Sequence, residues 1–259
     1  MLVSRAGDPP LIRFALRVLL IALGLLVCLV PHYACVALRR PSPWPRRFLF
    51  WVGYAAGLRV TITGTPLRSH VLFVANHLSW LDIMALAGAS GTAFVSKAEV
   101  NEWPVIGWLA RLNKTVFVAR AERGAVRGQA DALRTALASG QPVALFPEGT
   151  TEGGHEVLPF RPSLLASLYP PLPGIRVQPV ALDYGGAGAE IAWVGEEGAG
   201  TNARRILSRR GTIPLGIRFL APIDPEAIPD RKALAAAARA EIVESLGSEF
   251  PGDRLYAGR

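Results

Sequence analysis

The chain has 259 residues, of which 51% are hydrophobic and 19% are charged, and its formal net charge is +8. This length suits one large domain, or one domain with an appendage, and the hydrophobic share is high for a soluble enzyme, so the composition indicates contact with a membrane. The positive charge favours anionic partners such as a phospholipid surface, and the lack of an aromatic-basic binding module or a zinc-ligand spacing argues against nucleic acid.

The first predicted element is an apolar segment at residues 14–38, in which residues 18–30 contain no charged side chain. About 20 apolar residues are enough for a helix to cross a bilayer, so this segment is a candidate membrane helix. A signal peptide is the competing interpretation, because Arg5, Arg13 and Arg17 form a positive amino-terminal region. No convincing small-residue cleavage site follows, so we prefer a retained anchor.

A second apolar segment occupies residues 48–58, and arginines lie between the two segments as well as before the first. Arginines at both ends weaken any orientation drawn from the positive-inside rule. A helix–proline–helix hairpin that enters one leaflet and returns fits this symmetry better than a single crossing, and Trp44, Trp51 and Tyr54 suit the headgroup level. We therefore predict a membrane-associated helical region over residues 1–58.

The cysteines and histidines predict neither a disulfide nor a metal site. The two cysteines, Cys28 and Cys35, both lie in the first apolar segment, where we interpret them as small hydrophobic residues in a reducing compartment. The four histidines are too dispersed to form a recognisable set of metal ligands. We therefore expect no bound metal and no resident cofactor.

After residue 58 short β-rich runs alternate with helical segments, as in an α/β domain whose helices cover a sheet. We predict that residues 59–259 form this domain, with a mixed sheet flanked by helices. The predicted strands are residues 59–63, 71–75, 92–96, 115–119, 142–146, 177–183 and 213–220, and the predicted helices are residues 80–87, 104–112, 124–139, 163–168, 201–210 and 231–246.

Two polar clusters follow buried strands of this domain. His77 and Asp82 come after the apolar run at residues 71–75, and a second polar cluster at residues 146–151 comes directly after the apolar run at residues 142–145. An open α/β sheet places its active site at the carboxyl ends of its strands, so we expect the two clusters to form one site. Together they suggest acyl transfer.

The spacing of His77 and Asp82 limits their local structure. Five residues turn an α-helix by about 500°, so two positions so spaced lie roughly 140° apart and do not share a face. We therefore expect His77 in the turn between strand and helix and Asp82 in the first helical turn, with Ser79 as the N-cap. Asp82 can then accept the Nδ1–H of His77 and leave Nε2 free as a base. The alternative is a loop histidine beside an aspartate that only favours the helix dipole.

Four motifs resemble, in order and approximate spacing, the four blocks of the glycerolipid acyltransferases: residues 76–82, 115–120, 146–150 and 177–180. The resemblance covers residues 58–220, and the chain looks like a bacterial 1-acylglycerol-3-phosphate acyltransferase. It implies a glycerol-3-phosphate acyltransferase-like fold.

The resemblance also implies a mechanism, in which His77, held by Asp82, removes the proton from a free glycerol hydroxyl as that hydroxyl attacks an acyl thioester. The thioester is a co-substrate, carried by coenzyme A or by acyl carrier protein. No covalent intermediate on the enzyme is needed, in agreement with a sequence that has no Gly-x-Ser-x-Gly motif. The backbone N–H groups of the turn Glu148-Gly149-Thr150 are candidate donors to the tetrahedral oxyanion.

By the same resemblance, Arg120 helps to bind the phosphate of the acceptor, a task that suits the planar guanidinium. A solvated arginine at a strand end is the alternative. Glu148 is expected to orient the acceptor or a neighbouring arginine. Many members of the family end the third block with a second arginine where this chain has Thr151, and Arg161 is a candidate to supply that charge.

Because this chain has Thr151 where many members of the family have an arginine, the resemblance does not identify the acceptor lipid. The leading interpretation is a membrane-associated enzyme that acylates 1-acyl-sn-glycerol-3-phosphate to phosphatidic acid. The alternatives are acylation of a lyso-ornithine lipid or another lysophospholipid, hydrolysis of acyl thioesters, and a non-catalytic membrane scaffold. Because acyl thioesters are found in the cytoplasm, we expect the site on the cytoplasmic side of the inner membrane.

Around the predicted helix at residues 104–112 lies an apolar patch that consists of Trp103, Pro104, Val105, Ile106, Trp108 and Leu109. Packing in the core is the commoner use of such residues and is our expectation. Docking to a membrane and lining of an acyl-chain groove are the alternatives.

Overall fold

A computed structural model describes residues 10–118, 125–151, 153–154 and 156–247. The strands are β1 (Leu58–Thr63), β2 (Val71–Ala75), β3 (Ala93–Lys97), β4 (Val116–Val118), β5 (Val143–Leu145), β6 (Arg176–Asp183) and β7 (Ile213–Phe219). The helices are α1 (Pro10–Ala37), α2 (Trp44–Ala56), α3 (Trp80–Ser90), α4 (Ala98–Asn101), α5 (Pro104–Leu112), α6 (Ala125–Ala138), α7 (Gly188–Ile191), α8 (Ala199–Ser208) and α9 (Arg231–Gly247), and 3₁₀ segments cover Pro162–Leu168, Gly185–Ala187 and Pro225–Ala227.

All seven predicted strands are present, with ends that differ from the predictions by at most one residue. The predicted helix at residues 163–168 is a 3₁₀ segment, and the short helices α4 and α7 were not predicted. The predicted strand end at residue 119 and helix start at residue 124 lie outside the described residues.

The seven strands form one sheet in the order β1-β7-β6-β2-β5-β3-β4. Every neighbouring pair is parallel except β6 and β7, so the predicted mixed sheet is confirmed. The strand β2 lies between β5 and β6 and is parallel to both. The carboxyl ends of these three strands therefore meet at one edge, which is where an open α/β sheet forms its site.

The core has two apolar layers, one on each face of the sheet. Phe73 of β2 belongs to the layer that contains residues of α3 and α8. Leu72 and Val74 belong to the opposite layer, with residues of α6, α9 and the 3₁₀ segment Pro162–Leu168. A parallel strand covered on both faces needs apolar side chains throughout, which explains the unbroken apolar sequence of β2.

The amino-terminal region is an antiparallel pair of helices. Trp51 of α2 donates its indole N–H to the carbonyl of Leu20, and Phe48 of α2 packs with Cys28 of α1. Pro31 lies inside α1 and does not end it. The predicted helical hairpin is therefore present, with its reversal between residues 37 and 44, whereas its insertion into one leaflet stays a prediction.

This helix pair also contacts the α/β part of the chain. Arg17 donates to the carbonyls of Ile206 and Gly211, and Arg13 donates to the carbonyl of Ser208, at and beyond the end of α8. Free carbonyls at a helix carboxyl end favour cationic partners. The first turns of α1 are thus docked on the sheet domain, and the domain boundary at residue 58 stays a prediction.

Three residues of the apolar patch around α5 are not in the core, so the expectation of core packing is wrong for them. The exposed fractions of Trp103, Val105 and Ile106 are 44%, 59% and 49%. Leu109 of the same patch does pack against the cluster formed by α1 and α2, and Trp108 is half-buried. The exposed patch leaves membrane docking or contact with an acyl chain as its open interpretations.

Candidate active site

His77 and Asp82 are in contact. The distance from Nδ1 of His77 to Oδ2 of Asp82 is 2.8 Å. His77 lies in the turn after β2, and Asp82 lies in the first turn of α3, as the spacing of the two residues predicts. Because an ionised carboxylate accepts hydrogen bonds only, Nδ1 of His77 is the donor in this contact, and Nε2 is the nitrogen left to act as a base in the neutral imidazole.

The start of α3 holds Asp82 in place. Ser79 is the N-cap, and Asp82 completes a capping box by accepting from the backbone N–H of Ser79 at 2.9 Å. The same oxygen, Oδ2, accepts from the N–H of Leu78 at 2.7 Å. The carboxylate is fully buried and well supplied with donors, as a buried charge must be. The predicted N-cap is confirmed.

Phe146 fixes the plane of the His77 ring. The two rings are stacked, with centroids 3.9 Å apart and an angle of 11° between their planes. The side chain of His77 is 17% exposed, and its Nε2 has no hydrogen-bond partner among the described residues. Stacking on Phe146 and the hydrogen bond from Nδ1 to Asp82 fix the ring, so Nε2 can accept a proton from a bound hydroxyl, as a general base must.

The sequence assigned no role to two further residues of this site, Asn76 and Tyr184. Asn76 donates to the carbonyl of Leu182 and accepts from its N–H, so its side chain joins the ends of β2 and β6. Tyr184, which follows β6, donates its hydroxyl to Oδ1 of Asp82 at 2.6 Å. Burial, together with the charge of Asp82, holds the pKa of Tyr184 well above its ordinary value. The sequence signal for Tyr184 was only its position directly after a predicted strand.

Glu148 is buried, and its carboxylate joins two turns. Oε1 accepts from the backbone N–H of His77 at 2.8 Å, and Oε2 accepts from the N–H of Leu158 at 2.9 Å. Glu148 therefore fixes the backbone that carries the histidine. Its predicted role in orienting the acceptor stays a prediction.

We expect Glu148→Gln to lower both stability and acyl transfer. An amide has one accepting oxygen, so either His77 or Leu158 loses the acceptor of its buried N–H, at a cost of about 1–3 kcal/mol. Thermal unfolding and initial rates measure the two effects. Glu196→Gln, at an exposed carboxylate, is the matched control and should change neither. Equal behaviour of the two variants would contradict the role assigned to Glu148.

The turn after Glu148 brings together three more predicted residues. Gly149 has a φ of +72°, which glycine adopts without strain, and its N–H donates to the carbonyl of Phe146 at 3.1 Å. Arg161 lies against this glycine, since a Cβ at position 149 would be 3.2 Å from its Nε. Thr150 is exposed, and its N–H has no acceptor in the described part of the chain, so it is the better candidate to bind an oxyanion.

Thr151 connects this turn to the segment after β6. Its hydroxyl donates to the carbonyl of Trp193, and the N–H of Trp193 donates to the carbonyl of Leu78 at 2.9 Å. The side chain at the position of the family's second arginine is therefore engaged in holding the segment that borders His77.

Arg120, the predicted phosphate ligand after β4, lies outside the described residues, and its role stays a prediction. Within the residues that the structure describes, no group of three or more histidine, cysteine, aspartate or glutamate side chains is placed to hold a metal ion. The predictions of no metal and no cofactor stay predictions.

Comparison with known proteins identifies the family of this chain. The sequence profile of a family described as "Acyltransferase" matches residues 59–183. The lyso-ornithine lipid O-acyltransferase of Rhodobacter capsulatus is 35% identical over 252 residues, which cover 91% of this chain and 90% of that protein. The 1-acyl-sn-glycerol-3-phosphate acyltransferase of Neisseria meningitidis is 37% identical over 136 residues, which cover 51% and 52% of the two chains.

The fold is also that of a solved structure. The 1-acyl-sn-glycerophosphate acyltransferase PlsC of Thermotoga maritima superposes with a TM-score of 0.65 over 93% of this chain and 99% of that chain, at 23% sequence identity. The predicted fold class is confirmed.

Proposed function

Because the chain belongs to the acyltransferase family, we propose that it moves a fatty acyl group from an acyl thioester to the free hydroxyl of a lysolipid. The observation that carries the proposal is the His77–Asp82 pair, with Nδ1 engaged and Nε2 directed away from its partner. A base with an orienting carboxylate activates a hydroxyl that is otherwise too weakly nucleophilic.

The proposed reaction has two proton transfers. Nε2 of His77 takes the proton of the acceptor hydroxyl as its oxygen attacks the thioester carbonyl carbon. The carbon–sulfur bond of the tetrahedral intermediate then breaks, and the imidazolium returns the proton to the thiolate that leaves. The N–H of Thr150 is the proposed donor to the oxyanion of the intermediate.

For the acceptor we propose a lyso-ornithine lipid. Relatives of that name match nearly the full length of this chain. An amino-acid headgroup offers no phosphate monoester to a second arginine, in agreement with Thr151, whose hydroxyl instead binds the carbonyl of Trp193. The second candidate is 1-acyl-sn-glycerol-3-phosphate, which would give phosphatidic acid. The position of Arg161 beside Gly149 favours this second candidate, because the guanidinium is a candidate phosphate ligand.

The test is acyl transfer by detergent-solubilised protein to each lysolipid, alone and in competition. A radiolabelled acyl group is supplied on coenzyme A and, separately, on acyl carrier protein. Transfer to lyso-ornithine lipid that exceeds transfer to the phosphate lipid supports the proposed acceptor. The reverse preference establishes the second candidate, and Arg161→Gln should then weaken binding of the phosphate lipid selectively.

The same assay tests the remaining functions. Consumption of the acyl thioester without any lysolipid would indicate a hydrolase, in which water replaces the acceptor. No consumption and no transfer with either donor would indicate a non-catalytic scaffold. Either outcome overturns the proposal.

We also propose that the protein binds the inner membrane, with the site on its cytoplasmic side. Among the described residues α1 is the one helix long and apolar enough to cross a bilayer, and most of its leucine and valine side chains are exposed. An exposed apolar surface of this kind is typical of a site of contact with a membrane or a protein partner. Trp103, Val105 and Ile106 of the α5 patch are further exposed apolar residues, and Leu109 of α5 packs against the cluster formed by α1 and α2.

We expect a double variant, Leu26→Glu with Val30→Glu, to release the protein from phospholipid vesicles. These side chains are 62% and 76% exposed and lie four residues apart on one face of α1, so two charges there oppose burial in hydrocarbon. Vesicle sedimentation measures the bound fraction. Val243→Glu, at another exposed apolar residue in α9, is the control and should remain bound. Full retention of the double variant would contradict the proposed contact.

A further inference from the structure

Tyr184 contacts the His77–Asp82 pair from the β6 side of strand β2, whereas Glu148 contacts it from the β5 side. Tyr184 follows β6, which pairs with β2 on one side, whereas β5 and Glu148 lie on the other. Its hydroxyl is 2.6 Å from Oδ1 of Asp82, and His77 is 2.8 Å from Oδ2. Each oxygen of this carboxylate therefore has its own side-chain donor.

The fold fixes the position of the Tyr184 hydroxyl. The reciprocal hydrogen bonds between Asn76 and Leu182 set the register of β6 against the turn that carries His77. Tyr184 is buried in the apolar layer beneath α3, and its carbonyl accepts from the N–H of Ala187 in the 3₁₀ segment. A buried aromatic ring with its backbone anchored on both sides has little freedom to withdraw its hydroxyl.

The phenol of Tyr184 remains protonated, and therefore a donor, at neutral pH. Burial is the largest cause that holds the pKa of Tyr184 well above its ordinary value, and the negative charge of Asp82 acts in the same direction. The hydrogen bond therefore persists through the pH range in which a histidine titrates.

We propose that Tyr184 is a positioning residue for the base: its hydroxyl holds Asp82 so that Oδ2 faces His77, and it withdraws negative charge from that carboxylate. This inference rests on the proposed function, in which His77 is the base. Without the hydroxyl, Asp82 carries more of its charge toward His77 and stabilises the imidazolium. The neutral, active form of the base is then populated only at higher pH.

The other charged groups near this pair remain in place when the hydroxyl is removed. Glu148 accepts from the backbone N–H of His77 on the β5 side. Asp183 of β6 pairs with Arg218 of β7 at 3.4 Å. Tyr184→Phe alters neither of these partners, so a change in the pH profile reports the lost hydroxyl.

The principal experiment compares wild type with Tyr184→Phe. We expect the variant to have a kcat about 10-fold lower, because a base displaced by a fraction of an ångström loses rate steeply. The acid limb of kcat/KM should move up by about half a pH unit. Tyr169→Phe, which removes a long hydroxyl contact to Ile228 elsewhere in the chain, is the matched control and should change neither quantity.

Two further measurements separate positioning from a merely structural role. Replacement of Tyr184 by 3-fluorotyrosine keeps the shape and strengthens the donor, so the acid limb should move down instead of up. In protein with ¹⁵N-labelled histidine, the Nδ1–H resonance of His77 reports its bond to Asp82, and Tyr184→Phe should shift that resonance.

The outcomes are distinct. An unmoved acid limb in both variants, with an unmoved Nδ1–H resonance, would overturn the inference and leave Tyr184 as a packing residue. If the wild-type protein transfers no acyl group, the proposed function fails. The resonance then still decides whether Tyr184 sets the His77–Asp82 geometry.

Discussion

Replacement of His77 by alanine is expected to slow acyl transfer about 10²- to 10⁴-fold, the usual contribution of a general base. Nε2 of this residue is unpartnered among the described residues, while Nδ1 is bound to a buried carboxylate. The fold should persist, because Asp82 keeps its donors from Leu78, Ser79 and Tyr184. Initial rates with a radiolabelled thioester, at saturating lysolipid, measure the loss.

His70→Ala is the matched control for this variant. His70 is an exposed histidine in the turn before β2, remote from Asp82 in the hydrogen-bond network, and its loss should leave the rate unchanged. A His77→Ala enzyme that retains more than about a tenth of the wild-type rate would show that another group is the base.

Asp82→Asn is expected to reduce the rate by on the order of 10⁴, the loss seen when the aspartate of a His–Asp pair becomes an amide and the histidine adopts the wrong tautomer. The amide has one accepting oxygen and one donating nitrogen. If the amide nitrogen takes the place of Oδ1, it faces the donor hydroxyl of Tyr184. If it takes the place of Oδ2, it faces three donors, which are Nδ1 of His77 and two backbone N–H groups. Stability should therefore fall as well, by about 1–3 kcal/mol.

The control for Asp82→Asn is Asp230→Asn. Asp230 also caps a helix, since its carboxylate accepts from the N–H groups of Lys232 and Ala233 at the start of α9, but it lies at the surface. The Asp230→Asn variant should therefore have a slightly changed stability and an unchanged rate of acyl transfer. A rate loss of similar size in both variants would show that capping, and not the contact with His77, explains the effect.

The contact between His77 and Asp82 was predictable because it is local. Five residues separate the two side chains, and a strand, a turn and a helix N-cap leave few ways to arrange them. The alternation of apolar runs and turn residues likewise predicted the strands, because a strand buried on both faces needs an apolar side chain at every position. The glycine at position 149 has the positive φ that its turn requires.

The partners of that pair were decided by the tertiary structure. Tyr184 is 102 residues from Asp82, and Glu148 is 71 residues from His77. Their contacts depend on β2 lying between β5 and β6, and apolar strands pair equally well in several orders. The pattern of apolar and polar residues does not determine the order of the strands in the sheet.

For the apolar patch of α5, too, the sequence predicted the local pattern but not the tertiary contacts. The sequence determined that Trp103, Val105 and Ile106 belong to one apolar surface, but the structure decided that no other described segment covers it. Side-chain periodicity is set by the local backbone and can be read from the chain. What covers a surface, or which oxygen receives a given hydroxyl, is set by segments distant in sequence that only the packed core brings together.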